Sequence, residues 1–140
     1  MKRILLMMGL AGTLLSVMIM GGCGGGGSSD AVQVIHNSVT TGNATTYDAG
    51  HDLVEFDLHP TSTYTYNITN FAAGDRLVFD AGTAVGLTNV SGAYNVIDVI
   101  GSLNGNVVTV HLTGIPAATD AQIFGVNSFK TVFGADSLAP

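Results

Sequence analysis

The fold class of this chain follows from residues 97–112, which are Ile97-Asp98-Val99-Ile100-Gly101-Ser102-Leu103-Asn104-Gly105-Asn106-Val107-Val108-Thr109-Val110-His111-Leu112. Apolar residues alternate on both sides of Asn104-Gly105, a dipeptide that favours the two-residue type I′ turn of a β-hairpin. With these two residues as the loop, Ile97 faces Leu112 and Val99 faces Val110 on one apolar surface. The pattern predicts two antiparallel strands.

The same pairing places Asp98 opposite His111 on the other surface of the hairpin. Exposed cross-strand pairs of opposite charge are common and contribute under about 1 kcal/mol. We therefore expect an ion pair without a catalytic role. The alternative is that the pair begins a metal or catalytic site.

Four further segments have the period-two alternation and the β-branched and aromatic content of strands. We predict strands at residues 32–36, 54–58, 64–68 and 76–80, and a loop at residues 37–46. Strands with one apolar and one polar face are typical of antiparallel sheets that pack on one side. The sequence therefore predicts an all-β domain, a small antiparallel β-sandwich or jelly-roll-like fold.

Near the C-terminus the apolar spacing changes to that of short helices. Thr119 followed by Gln122 matches a capping box, and Asp120 favours the positive N-terminal end of a helix. Gly134 suits a C-terminal stop. We predict a short helical segment over residues 120–133 whose apolar side chains lie over an open end of the sheets; these are Ile123, Phe124, Phe129, Val132 and Phe133.

The N-terminal residues have the composition of an export signal. Lys2 and Arg3 precede an apolar segment, residues 4–20, that is short and poorly flanked for a spanning helix. It leads into Gly21-Gly22-Cys23, which resembles the bacterial lipoprotein signal, where cleavage before the cysteine leaves a lipidated first residue. The alternatives are an ordinary signal peptide with a stray cysteine and an uncleaved anchor.

Together with the strand pattern, this resemblance predicts three parts: a signal peptide at residues 1–22, a lipidated Cys23 with a flexible Gly/Ser tether at residues 23–30, and a β domain at residues 31–140. Two or three acyl chains hold a protein stably on a membrane, since each buried methylene contributes about 0.8 kcal/mol. The protein would then be lipid-anchored in the bacterial cell envelope, periplasmic or surface-exposed. Gly24, at the sorting position after the cysteine, favours the outer membrane.

The charge of the mature chain excludes one class of partner. After residue 22 only Arg76 and Lys130 are basic, against ten acidic residues, which gives 2 − 10 = −8. Nucleic acid is therefore not expected as a partner, because phosphate binding requires clustered lysine and arginine.

With Cys23 lipidated no thiol remains for a disulfide, so stability must come from packing or from a bound ion.

A second resemblance rests on Ile68-Thr69-Asn70-Phe71-Ala72-Ala73-Gly74-Asp75-Arg76-Leu77-Val78-Phe79, the most specific stretch. With residues 108–115, Asp120 and residues 128–134, it resembles the C-terminal β domain of RTX and adhesin-like bacterial surface proteins, over residues 45–138. In that family the module usually follows calcium-binding glycine-aspartate repeats, and this chain has no Gly-Gly-x-Gly-x-Asp repeat. The resemblance implies a surface-associated β module without assigning a ligand.

The sequence contains no recognisable catalytic motif. The four histidines, His36, His51, His59 and His111, occur without a His-Glu-x-x-His motif, a second cysteine or a Gly-x-Ser-x-Gly motif. On one extended strand His51, Glu55 and His59 would be spaced by about 13 Å, which argues against a transition-metal site. We predict that the protein is not an enzyme.

Calcium is the cation that the sequence favours, because oxygen ligands are abundant. Asp48, Asp52, Asp75 and Asp80 lie at predicted strand ends or turns, where carboxylates and backbone carbonyls could gather. The alternative is that they are solubilising turn residues, and Gly74-Asp75 suits a turn.

Four tyrosines, Tyr47, Tyr64, Tyr66 and Tyr94, could stack on sugar rings, although Tyr64 and Tyr66 suit the core and the chain has no tryptophan. The sequence thus predicts a lipid-anchored envelope protein that acts as a structural or adhesive β module, with an unknown protein or glycan partner. The alternative is a small calcium- or glycan-binding lipoprotein.

Overall fold

A computed structural model describes residues 34–90 and 95–140, which belong to the unit Ala31–Pro140. Its strands are β1 Val34–Val39, β2 Tyr47–Asp48, β3 Leu53–Leu58, β4 Tyr64–Thr69, β5 Arg76–Phe79, β6 Ala84–Thr88, β7 Val96–Leu103, β8 Asn106–Thr113 and β9 Leu138–Ala139. Two short helices, α1 Ala117–Asp120 and α2 Val126–Phe133, precede β9. The domain is mostly β with a short C-terminal helical segment, as predicted.

The strands form two sheets. A four-stranded sheet, here the parallel sheet, has the order β1-β3-β5-β9, and every pairing in it is parallel. A five-stranded mixed sheet has the order β2-β4-β8-β7-β6, with β2, β4 and β8 parallel and β8, β7 and β6 antiparallel.

The predicted antiparallel sandwich or jelly roll is therefore wrong in strand direction. The first six strands alternate between the two sheets, so β1, β3 and β5 each enter the parallel sheet in the same direction. Alternation of apolar and polar residues indicates which face of a strand is buried. It is the same whether the strand runs parallel or antiparallel to its neighbours.

The apolar faces of the two sheets meet in one core. Phe56 of β3 contacts Tyr66 of β4 with ring centroids 6.1 Å apart, and Tyr47 of β2 meets Phe56 edge-on at 5.1 Å. The predicted inward residues of β3, Val54, Phe56 and Leu58, are buried. Each large apolar side chain that is fully buried contributes about 1.5–3 kcal/mol relative to exposure.

The hairpin of β7 and β8 confirms the predicted register. Leu103 pairs with Asn106, and Ile97 pairs with Leu112. Asn104 and Gly105 have φ values of 52° and 84°, the two left-handed conformations that a type I′ turn requires.

The first strand differs from its predicted bounds. It continues to Val39, so residues 37–39 of the expected loop belong to β1. Pairing with β3 engages the backbone groups on that side of the strand, and the Asn37 Nδ2 donates to the Tyr66 hydroxyl at 3.2 Å. Tertiary pairing thus overrides the weak strand propensity of polar residues.

The C-terminal helices lie over the core through three aromatic rings. Phe71, Phe129 and Phe133 have ring centroids 4.7–5.8 Å apart. As predicted, Gly134 ends α2, with φ 117° and its N–H donating to the Lys130 carbonyl at 3.0 Å. Phe124 was expected to cover the sheets but is 73% exposed, because it lies in the connection before α2.

The predicted capping box is wrong. Pro116 precedes α1, so Thr119 lies inside this helix and Gln122 lies beyond it. Asp120 is the last residue of α1, and because the helix has only four residues it also lies in the first turn, as predicted. The fixed φ of proline suits a helix start, and it begins α1 three residues earlier than expected.

The two sheets pack closely at Gly101 of β7, which faces Phe79 of β5. A Cβ added at Gly101 would lie 2.4 Å from the Phe79 ring. We expect Gly101→Ala to lower the free energy of unfolding by about 1–3 kcal/mol, because overpacking forces its neighbours to shift. Gly86→Ala in β6 is the matched control, since its Cβ meets no atom within 4 Å, and we expect a change within about 0.5 kcal/mol. Urea unfolding measures both, and equal stability would contradict the packing described.

Candidate functional site

The outer surface of the parallel sheet has polar side chains that alternate with core residues. Val54, Phe56 and Leu58 are buried in the core, so Glu55 and Asp57, which alternate with them along β3, point the other way. We call the outer face the set formed by His36, Ser38, Glu55, Asp57, His59, Arg76 and Asp80.

Glu55 is paired on both carboxylate oxygens. The parallel register sets His36 beside Glu55 and Glu55 beside Arg76. Glu55 Oε1 lies 3.0 Å from His36 Nδ1, and Oε2 accepts a hydrogen bond from Arg76 Nη1. The Glu55 side chain is only 12% exposed, and a carboxylate buried to this degree requires such partners.

Asp57 extends this arrangement to a third group. Its Oδ2 lies 3.9 Å from His36 Nδ1, and one ligand atom from each of His36, Glu55 and Asp57 falls within 4.8 Å of the others. One imidazole and two carboxylates are groups that bind divalent metals.

A second set of side-chain contacts on the outer face joins Ser38, His59 and Asp80. His59 Nδ1 lies 2.8 Å from Asp80 Oδ1, and His59 Nε2 lies 3.1 Å from Ser38 Oγ. The order of groups is that of a Ser-His-Asp triad. Acyl transfer also needs an oxyanion site and a pocket for the acyl group, and the cleft described below includes none of the three residues.

The mixed sheet contains the predicted Asp98–His111 pair. The two residues are register partners, and His111 Nδ1 hydrogen-bonds to Asp98 Oδ1. Asp98 is 6% exposed, so the expectation of an exposed pair is wrong for the carboxylate. Asn89, which follows β6, donates to the other oxygen of Asp98 and helps to cover it.

Three of the four predicted calcium residues lie at one cleft, which has a volume of about 620 Å³. Asp52 and Asp75 line it, and Asp48 Oδ1 accepts hydrogen bonds at 2.9 Å from two further lining residues, Gly50 and Asn70. Asp80 lies apart from this group, paired with His59.

Asp48, which is exposed, and Asp75, which is buried, differ in environment. The Asn70 amide and the Gly50 N–H lower the pKa of Asp48. Burial raises the pKa of Asp75, against the opposite effect of its two backbone donors, Ala72 at 2.8 Å and Val54 at 3.0 Å. Asp75 Oδ2 therefore holds the turn, the role that the alternative interpretation gave it, and Oδ1 holds the start of β3.

The tyrosines among the described residues pack within the domain. Tyr47 and Tyr66 contact Phe56, and the Tyr64 hydroxyl donates to the Val39 carbonyl at 2.9 Å. Tyr94 lies outside the described residues. The three described rings are thus used for packing between and beside the sheets.

The partly buried hydroxyl of Tyr64 predicts a dependence of stability on alkaline pH. Burial raises the pKa of Tyr64 from 10.0 to about 12. Because the folded value exceeds the unfolded one, the stabilisation is complete below pH 10 and is lost as the pH rises through about 12.

We expect the wild-type protein to lose stability more steeply from pH 10 to pH 12 than Tyr64→Phe, as measured by urea unfolding at stepped pH. Tyr66, whose pKa burial also raises, accounts for a residual slope in the variant. Parallel slopes for the two proteins would contradict the burial of the Tyr64 hydroxyl.

Sequence reasoning missed two features of the site. The group of His36, Glu55 and Asp57 combines residues of two strands, and no motif of adjacent residues marks it. Asp120 is fully buried, and its carboxylate oxygens have no hydrogen-bond partner among the described residues.

The predicted lipidation site, Cys23, and the Gly/Ser tether lie outside the described residues. Within residues 34–90 and 95–140, no helix has the length and apolar character needed to cross a membrane.

Comparisons of this chain with protein-family models, with curated proteins and with solved structures found no match. The resemblances to the lipoprotein signal and to the RTX and adhesin-like β domain therefore stay predictions.

Proposed function

We propose that this protein is a lipid-anchored component of the bacterial cell envelope whose β domain acts as a structural or adhesive module. The observation that carries the proposal is Gly21-Gly22-Cys23 at the end of a basic-headed apolar segment. A domain with its own core follows, and β1 begins at Val34, 34 − 23 = 11 residues after Cys23. An acylated Cys23 would anchor this domain to lipid from its N-terminal side.

The composition between anchor and domain supports a spacer. Residues 24–29 are four glycines and two serines. A flexible Gly/Ser-rich linker of about ten residues has an average end-to-end distance on the order of 20 Å. The domain would then stay near the lipid surface and remain accessible to a partner.

The edge of the parallel sheet supports an adhesive role. Among the described residues β1 is an edge strand, and Ile35 on it is 40% exposed. An edge strand can pair with an extended segment of another protein through backbone hydrogen bonds. A protein partner at β1 is therefore favoured over a glycan, since the described tyrosines pack within the domain.

The proposal assigns no catalytic activity to the domain. The Ser38, His59 and Asp80 contacts tie β1 to the ends of β3 and β5, which is a structural role. Side chains that cross-link neighbouring strands contribute about 0.2–1 kcal/mol each.

The lipid anchor is tested at Cys23. We expect Cys23→Ala to abolish incorporation of labelled palmitate and to move the protein from the membrane fraction to the soluble fraction, because no thiol remains to be acylated. The measurement is metabolic labelling with detergent phase partition. Ser28→Ala is the control and should keep both label and membrane binding; a Cys23→Ala protein that stays labelled would refute the anchor.

The second candidate is a calcium-binding lipoprotein, which the convergence of Asp48, Asp52 and Asp75 at one cleft favours. The ionised form of Asp48 is stabilised by its donors, and Asp52 is exposed at the cleft. Both carboxylates are oxygen ligands of the kind that calcium prefers.

We expect millimolar calcium to raise the thermal midpoint by several degrees relative to EDTA if this candidate holds, because an ion that binds the folded state stabilises it. Asp52→Asn should remove the rise. Asp80→Asn should keep it, since Asp80 lies with His59 on the outer face. An unchanged midpoint at saturating calcium would eliminate this candidate and leave the structural or adhesive module.

A further inference from the structure

We propose that His36, Glu55 and Asp57 on the outer face form a binding site for a divalent transition-metal ion of the zinc type. The site uses neither the lipid anchor nor the calcium cleft, so it stands independently of the proposed function. Its three ligand groups come from β1 and β3, two paired strands, so the backbone holds them at fixed spacing.

The distances between the ligand atoms suit a small metal ion. Zinc binds nitrogen and oxygen ligands at about 2.0–2.2 Å, so two ligands of a tetrahedral site stand about 3.4 Å apart. His36 Nδ1 lies 3.0 Å from Glu55 Oε1 and 3.9 Å from Asp57 Oδ2. These two distances lie on either side of the tetrahedral value, and all three ligand atoms lie within 4.8 Å of one another.

Neighbouring residues orient these ligands. Arg76 holds Oε2 of Glu55, which leaves Oε1 on the side of His36, and the Arg76 Nε donates to the Asp136 carbonyl at 3.3 Å. Groups of this kind, which fix the ligands from outside, contribute to metal affinity. His59 is committed to Ser38 and Asp80 and is not a ligand of this site.

Exposure and charge leave room for an ion. The His36 side chain is 64% exposed, Asp57 is 32% exposed and Glu55 is 12% exposed, so the group opens to solvent on the His36 side. Water can complete the coordination there. The two carboxylates and Arg76 together carry one negative charge. A bound divalent cation would change the net charge of the group to one positive charge.

The imidazole decides the class of metal. Calcium and magnesium prefer sites built from oxygen ligands alone, whereas zinc, copper and nickel accept imidazole nitrogen together with carboxylates. A site with His36 as a ligand therefore selects transition metals over the alkaline-earth ions.

The test is a calorimetric titration of Zn²⁺ into purified protein that carries Cys23→Ala, which removes a competing thiol. We expect one ion per chain and no displacement by an equal concentration of Ca²⁺. His36→Ala should weaken the binding more than about tenfold, since loss of outer groups alone costs 10–100-fold in other sites. Asp57→Asn, which preserves side-chain shape, should weaken it as well.

The matched control is His51→Ala, which removes an exposed imidazole at the cleft, away from the outer face. It should leave the zinc affinity unchanged, and thermal unfolding of each variant verifies that it is folded. The proposal is overturned if the parent protein does not bind zinc, if His36→Ala and Asp57→Asn bind as tightly as the parent, or if His51→Ala loses as much affinity as His36→Ala.

Discussion

Parallel pairing of β1, β3 and β5 is the constraint on which the rest of the structure depends. Two parallel neighbours cannot be joined by a tight hairpin, so the chain must leave the sheet after each strand and return at the end where it began. Here each excursion contains a strand of the other sheet: β2 separates β1 from β3, and β4 separates β3 from β5. Each such excursion and return, here called a winding, therefore places strands in both sheets. Apolar side chains from both sheets fill the core between them.

The length of each winding determines which polar residues become neighbours. Glu55 and Arg76 are 21 residues apart, as are His59 and Asp80, and each pair is in direct contact. The Val54 N–H and the Asp75 carboxylate repeat this separation at the start of β3. The polar outer face is thus a product of the winding. This sheet can face water although all its strands are parallel, because the outward side chains are polar and form ion pairs and hydrogen bonds with one another.

The end of the chain closes the domain through aromatic packing. Phe71 precedes β5, and Phe129 and Phe133 on α2 join it, so the helix is held to a residue more than 50 positions earlier in the sequence. The buried carboxylate of Asp120 lies at the end of α1 in the same region of the sequence. Burial of a polar group without a partner costs free energy, which the surrounding apolar contacts must offset.

The sequence by itself determined part of the local structure, namely the hairpin of β7 and β8 and the buried faces of two further strands. A two-residue Asn104-Gly105 loop pairs its flanking residues at fixed offsets, which set the hairpin register, and alternation identified the buried faces of β3 and β4. Cys23 and its surroundings remain a prediction from sequence alone. Only the tertiary structure decided strand direction and the meeting of His36 with Glu55. Alternation is the same for parallel and antiparallel strands, and contact between residues 19 positions apart depends on the length of the excursion through the other sheet, which no local pattern encodes.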